Sequence, residues 1–161
     1  MLFYEDKPRY STWFKLLVVF VPTLIVTLGF LFYCRVLPTK SETRATITAG
    51  YMFAVAAFTL VLFWAITPRK FQIFEDKLKI VLGNNFSYSI SFDTIKEARR
   101  AAGQKVFVYW GLRFTTSTRN AVEIMRSKGV QVVISPNHPD LFLLNFNKAL
   151  SDWKHSHGRS I

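Results

Sequence analysis

Cysteine is nearly absent from this chain. Cys34 stands alone among 161 residues, so no intrachain disulfide can form, and a reducing compartment suits it. Its place at the end of an apolar run marks it as a passive apolar residue before an acylation target. Acidic residues are scarce as well, 10 against 21 Lys and Arg, for a net charge of +11. Only three histidines occur, His138, His155 and His157, all towards the C-terminus. Catalysis by a nucleophile, a base and an orienting acid therefore has little to work with. Asp140 beside His138 is explained by helix-start electrostatics. His155 and His157 offer two metal ligands in a polar tail, fewer than a site needs. The seven glycines are dispersed, so no phosphate-cradling loop is present. No helix-turn-helix spacing, zinc-ligand set or aromatic RNA-binding signature occurs, which sets nucleic acid aside. The expectation is a protein without enzymatic activity, cofactor or metal.

Long apolar runs are what the chain has instead. Residues 45–67 (ATITAGYMFAVAAFTLVLFWAIT) contain no charge and stop at Pro68-Arg69-Lys70. As a helix they would reach about 34 Å, enough for a hydrocarbon core of about 30 Å. Residues 16–34 are likewise uncharged and give about 28 Å, extended by Trp13, Phe14 and Lys15. That run is too long for a signal-peptide core, and no small-x-small cleavage site follows it. Pro22 within it is expected to kink the helix.

The ten residues 35–44 between the runs suffice only for a tight turn, so the spans form a hairpin. Gly50, Ala54 and Ala57 recur at helical spacing and are expected to face the first span. Lys7, Arg9, Lys15, Arg69, Lys70, Lys77 and Lys79 flank one side, against Arg35, Lys40 and Arg44 on the other. That asymmetry predicts a multi-pass protein of the cytoplasmic (inner) membrane with both termini in the cytoplasm. Residues 1–15, which mix aromatics with both charge signs, read as an arm at the headgroups.

After the second span the period changes to two. Phe86, Tyr88, Ile90 and Phe92 alternate with three serines, the pattern of a half-buried antiparallel strand. Turn signals at 75–76, 83–85, 102–104, 117–120 and 127–129 separate further short apolar segments. Seven or so strands follow, in a small all-β barrel or sandwich over residues 69–154. Pro139 and Asp140 then suit the first turn of a helix. Phe142, Phe146, Ala149, Leu150 and Trp153 make one apolar stripe, so this helix closes the β unit. Residues 155–161 form a polar tail.

The order of these segments resembles the pleckstrin-homology-like fold. It is nearest to small bacterial and archaeal membrane proteins that carry such a domain after two helices. The residues concerned are 71–80 (FQIFEDKLKI), 88–95 (YSISFDTI), 122–136 (VEIMRSKGVQVVISP) and Pro139-Asp-Leu-Phe142. The resemblance implies a membrane-tethered binding or scaffolding module. Inositide-binding members of the wider fold carry a basic cluster at the first hairpin. Here Lys70, Lys77 and Lys79 surround an acidic Glu75-Asp76 turn, with no Arg partner.

Residues 69–161 hold 15 Lys and Arg against 7 Asp and Glu, a net of +8. That excess fits either membrane topology or recognition of anionic lipid. Lys96, Arg99, Arg100 and Lys105 are its densest patch, with Arg69 and Lys70 beside the second span; a solvated charged strand edge is the plainer reading of the patch. Phe107, Tyr109, Trp110 and Phe114 add an aromatic surface. The expected partners are the bilayer itself, anionic headgroups or a membrane protein. In the last case the chain would be an accessory subunit of a transporter or enzyme, contacting it through the hairpin.

Overall fold

A computed structural model describes residues 1–38, 41–83, 86–101, 111–117 and 120–158. The chain divides into two compact units, one of Thr12–Ile66 and one of Met1–Ser11 with Thr67–Ile161.

The first unit is two helices, α1 (Thr12–Tyr33) and α2 (Glu42–Ile66), each long and apolar enough to cross a membrane. Pro22 lies buried within α1, which continues on both sides of it. Only 11% of the most apolar window of each helix is buried, and Val19, Phe20, Phe58 and Val61 are all more than half exposed. The core helix of a soluble protein would be mostly covered, so within this unit the apolar surface faces outward.

Helix α1 ends in a Schellman motif. The Val36 N–H reaches the Leu31 carbonyl at 3.0 Å and the Arg35 N–H reaches Phe32 at 3.1 Å. The residue in the left-handed conformation is Arg35, with φ 60°, rather than the usual glycine. Its guanidinium pairs with Glu42 in the first turn of α2, at 2.5 Å.

The seam differs from the expected one. Gly50, Ala54 and Ala57 are exposed, and a Cβ built on Gly50 meets nothing within 4 Å. The buried small residues of α2 are Ala45, Ala49 and Ala56; Ala49 and Ala56 each lie about 100° of helix from an adjacent member of the expected stripe, Gly50 and Ala57. On α1 the buried residues are Pro22 and Gly29. A Cβ on Gly29 would lie 3.0 Å from Met52 Cβ and 3.2 Å from the Phe53 ring, so the missing side chain permits the close approach.

The second unit holds eight strands, among the described residues, in two four-stranded sheets. The first has the order β1 (Leu2–Asp6), β2 (Lys70–Phe74), β3 (Lys77–Val81), β4 (Ser87–Ser91), antiparallel throughout. A 3-10 turn at Phe92–Thr94 leads to β5 (Ile95–Arg100), then β6 (Gly111–Phe114), β7 (Val122–Arg126) and β8 (Gln131–Ile134). These make the second sheet, in the order β5-β7-β8-β6. Helix α3 (Pro139–Ser156) follows, two residues longer than the expected domain end at 154. The expectation of antiparallel strands is corrected at one pair, β6–β8, which is parallel. Of the expected barrel or sandwich, no closed barrel is present among the described residues.

Alternation builds the core. Phe71 and Ile73 of β2, Leu78 and Ile80 of β3, and Ile90 and Phe92 are fully buried, with the polar residues between them turned outward. Phe86 shares that period, but it precedes the first residue of β4 and is 63% exposed. From the second sheet come Val122, Ile124, Val132 and Ile134, and from α3 Phe142, Phe146, Ala149 and Leu150. Burying each large apolar side chain contributes about 1.5–3 kcal/mol.

Residues 1–11 are not an arm standing apart from the β unit. Leu2–Asp6 is a strand of the first sheet, paired with β2 from Leu2↔Phe74 to Asp6↔Phe71. The helical hairpin is thus inserted between two hydrogen-bonded neighbours. Beyond β1 the chain crosses to the second sheet, where Pro8 bridges Pro136. The Arg9 N–H donates to the Ser135 carbonyl at 3.0 Å, and the Asn137 N–H to Lys7 at 2.8 Å.

Candidate functional site

Among the described residues, the basic side chains singled out from the sequence lie on different strands and faces. Strand β5 carries Lys96, Arg99 and Arg100, and a register shift between Ile95 and Glu97 falls at Lys96. Adjacent residues of a strand point to opposite faces, so Arg99 and Arg100 diverge. Arg99 lies opposite Glu123 of β7 on the face away from the core, its Nε 3.0 Å from Oε2. The Glu123 side chain is 2% exposed, and its Oε1 is buried without a hydrogen-bond partner among the described residues. Arg113 occupies the same cross-strand row through Val133. Arg100 reaches instead to Asp140 in the first turn of α3, Nη2 to Oδ2 at 3.0 Å. Lys96 is exposed, and its carbonyl accepts from Lys154 at 3.5 Å. Lys105 lies outside the described residues, as do Phe107, Tyr109 and Trp110. Phe114 packs on Tyr88 with ring centroids 5.7 Å apart, joining the edges of the two sheets.

Arg69 and Lys70 belong to the other sheet. The Arg69 N–H donates to the Val81 carbonyl at 2.7 Å, extending the β2–β3 ladder. Lys70 pairs with Glu5 of β1 at 2.8 Å, and Gln72 donates to the same carboxylate at 2.7 Å. Those two hydrogen bonds, from Lys70 first and then Gln72, hold the Glu5 carboxyl below its ordinary range. The side chains of Lys70, Arg99 and Arg100 are therefore engaged within the β unit. The Arg100–Asp140 pair is exposed on both sides and worth about 0–1 kcal/mol, so an anionic surface could compete for Arg100.

Hydrogen bonds tie the end of β1 and the segment between β1 and α1 into the β unit, although those residues carry no local pattern that announces it. Asp6 is buried, and its carboxylate accepts the Lys7 N–H at 2.7 Å and the His138 N–H at 3.0 Å. His138 is the N-cap of α3 without a side-chain cap bond, so a carboxylate from the far end of the chain serves that helix start. The His138 ring also lies 3.6 Å from Asp6. Asp140, two residues on, pairs with Arg100. Further along, the Thr116 hydroxyl donates to the Arg9 carbonyl at 2.7 Å, and the Ser11 N–H to the Thr116 carbonyl at 2.9 Å. The Tyr10 hydroxyl donates to the Pro68 carbonyl at 2.6 Å. Burial raises the Tyr10 phenol above its usual value, against an opposing effect of Arg69.

The remaining chemistry is sparse. Cys34 is a free, exposed thiol. His155 is exposed in the last turn of α3, while the His157 ring stacks on Trp153 at 4.6 Å. Among the described residues, no group of three or more His, Cys, Asp or Glu could hold a metal ion. Comparison of the chain with protein-family models, with curated proteins and with solved structures finds no match.

Proposed function

We propose that this chain is an integral membrane protein whose helical hairpin crosses the bilayer twice and anchors a non-enzymatic binding module. The β unit, read as a variant of the pleckstrin-homology-like fold, is displayed at the cytoplasmic face for a protein partner or anionic lipid. One observation carries the reading: β1 and β2, which bracket the hairpin, are hydrogen-bonded neighbours. Two ends fastened to one sheet must emerge on the same side of a bilayer, which demands an even number of crossings. Two helices of suitable length and outward apolar surface supply that number.

The test is cysteine accessibility in a Cys34→Ser background. Single cysteines at positions 36 and 43 are expected to label from outside the membrane, and those at 2 and 158 only from the cytoplasm. Labelling of both pairs from one side would overturn the topology. Purification in mild detergent addresses the module itself. A stoichiometric partner lost on charge reversal of Lys96, Arg99 and Arg100 supports binding through the β unit. A partner retained by residues 12–66 alone makes the chain an accessory subunit instead.

A further inference from the structure

A cavity of about 510 Å³ opens between β1, the β2–β3 turn and the last two turns of α3. All its lining belongs to the unit of Met1–Ser11 with Thr67–Ile161. Its lining includes two large aromatic rings, Phe3 of β1 and Trp153 of α3. Phe3 is 39% exposed, so its ring is accessible. Trp153 is fixed edge-on against Phe92 at 6.4 Å and backed by the stacked His157. The lining also includes three carboxylates, Glu75 and Asp76 on the turn and Asp152 on the helix. In a chain with 21 basic and 10 acidic residues, that gathering runs against the overall charge.

The cavity also lies at the C-terminal end of α3, an 18-residue helix whose last carbonyls carry partial negative charge. Carboxylates, helix end and ring faces all attract a cation. Three of the chain's own ammonium groups already use these elements. The Met1 α-ammonium lies 3.3 Å from Glu75 Oε2, Lys77 Nζ lies 3.8 Å from Asp76 Oδ2, and Lys148 Nζ lies 5.8 Å from the centre of the Phe3 ring. The Met1 ammonium is 89% exposed and can be displaced from Glu75.

We propose that this cavity binds a free aliphatic polyamine. Its carboxylates come from two separate elements, and its lining includes the two aromatic rings. A ligand with an ammonium at each end can meet Asp152 on the helix and Glu75 or Asp76 on the turn. Its methylenes then lie against Phe3 and Trp153. A single-headed cation would satisfy one side only, and an anionic headgroup would be repelled. The volume is within the range of small-molecule sites, about 300–1,000 Å³.

The experiment is calorimetric titration of spermidine into the full chain in nanodiscs of zwitterionic lipid. Saturable one-to-one binding is expected. Glu75→Gln and Asp152→Asn, both at exposed positions, should each weaken it about tenfold, the worth of one charge-assisted hydrogen bond. Phe3→Leu should weaken it without changing its salt dependence. Butylamine, with one ammonium, should bind about tenfold more weakly than spermidine. The proposal fails if no saturable binding appears at millimolar spermidine, or if both carboxamide variants bind like the parent. It fails equally if butylamine matches spermidine, or if a lysine-rich peptide binds where spermidine does not.

Discussion

Arg35 holds a conformation that suits glycine, and the reason lies beyond its backbone. With φ 60° it closes the Schellman motif of α1 while its side chain reaches Glu42 of α2. The left-handed region costs a side-chain-bearing residue about 1 kcal/mol, and an exposed ion pair returns at most a similar amount. Arg35→Ala keeps the strain and loses the pair, whereas Arg35→Gly loses both. The glycine variant should therefore be the more stable of the two by about 1 kcal/mol, read from thermal unfolding in one detergent. Asp6 is the opposite kind of residue, buried and fully used. Asp6→Ala orphans the Lys7 and His138 N–H groups and should cost about 1–3 kcal/mol. Glu5 beside it carries a pH dependence. Its folded carboxyl titrates below the unfolded one, so its contribution is present above the ordinary glutamate range. It is lost as pH falls through the folded value. Acid titration of stability should show this loss in the parent and not in Glu5→Gln.

At the scale of elements, spacing alone finds a helix and does not fix which face it buries. Both Gly50-Ala54-Ala57 and Ala45-Ala49-Ala56 offer small residues at helical spacing, and the buried set is the second. What decides between them is the partner face on α1, where Gly29 leaves room for Met52 and Phe53. Gly29→Val should push against Met52 and lower the unfolding midpoint of the hairpin. Gly50→Val points into open space and should leave it unchanged. Equal effects at the two glycines would contradict this seam. The same contrast separates the legible strands from the rest. Strand β4 and helix α3 announce themselves because one face is apolar at a regular period, and Ile90, Phe92, Phe142 and Phe146 are indeed buried. Strand β1 has no such signal: Leu2 and Phe3 are exposed and the buried residue is Asp6. It is a strand because β2 offers it a hydrogen-bonding edge, and β2 is remote in sequence. Among the described residues, the basic candidates lie apart for a related reason. Nearness in sequence on a strand sends Arg99 and Arg100 to opposite faces, each to its own carboxylate.

For the whole molecule, the consequence is that the β unit is discontinuous in sequence. A fragment made of residues 69–161 lacks β1, so the edge of β2 is left open and the start of α3 loses its carboxylate. An exposed strand edge invites pairing between molecules, so that fragment should aggregate or remain poorly folded. Joining residues 1–11 to 67–161 through a short glycine-serine linker, in place of the hairpin, restores both features. Asp6 and Phe71 are paired partners, and the strap from Pro8 to Ser11 keeps its contacts to Thr116 and Ser135. The fused chain should be soluble without detergent, monomeric by size-exclusion chromatography and cooperative in thermal unfolding. Circular dichroism and gel filtration of the two chains side by side decide the matter. If residues 69–161 alone fold as well as the fusion, β1 is a dispensable addition. If only the fusion folds, the β unit is closed by the segment that precedes the first helix. An anchor inserted between paired strands then holds its module at both ends.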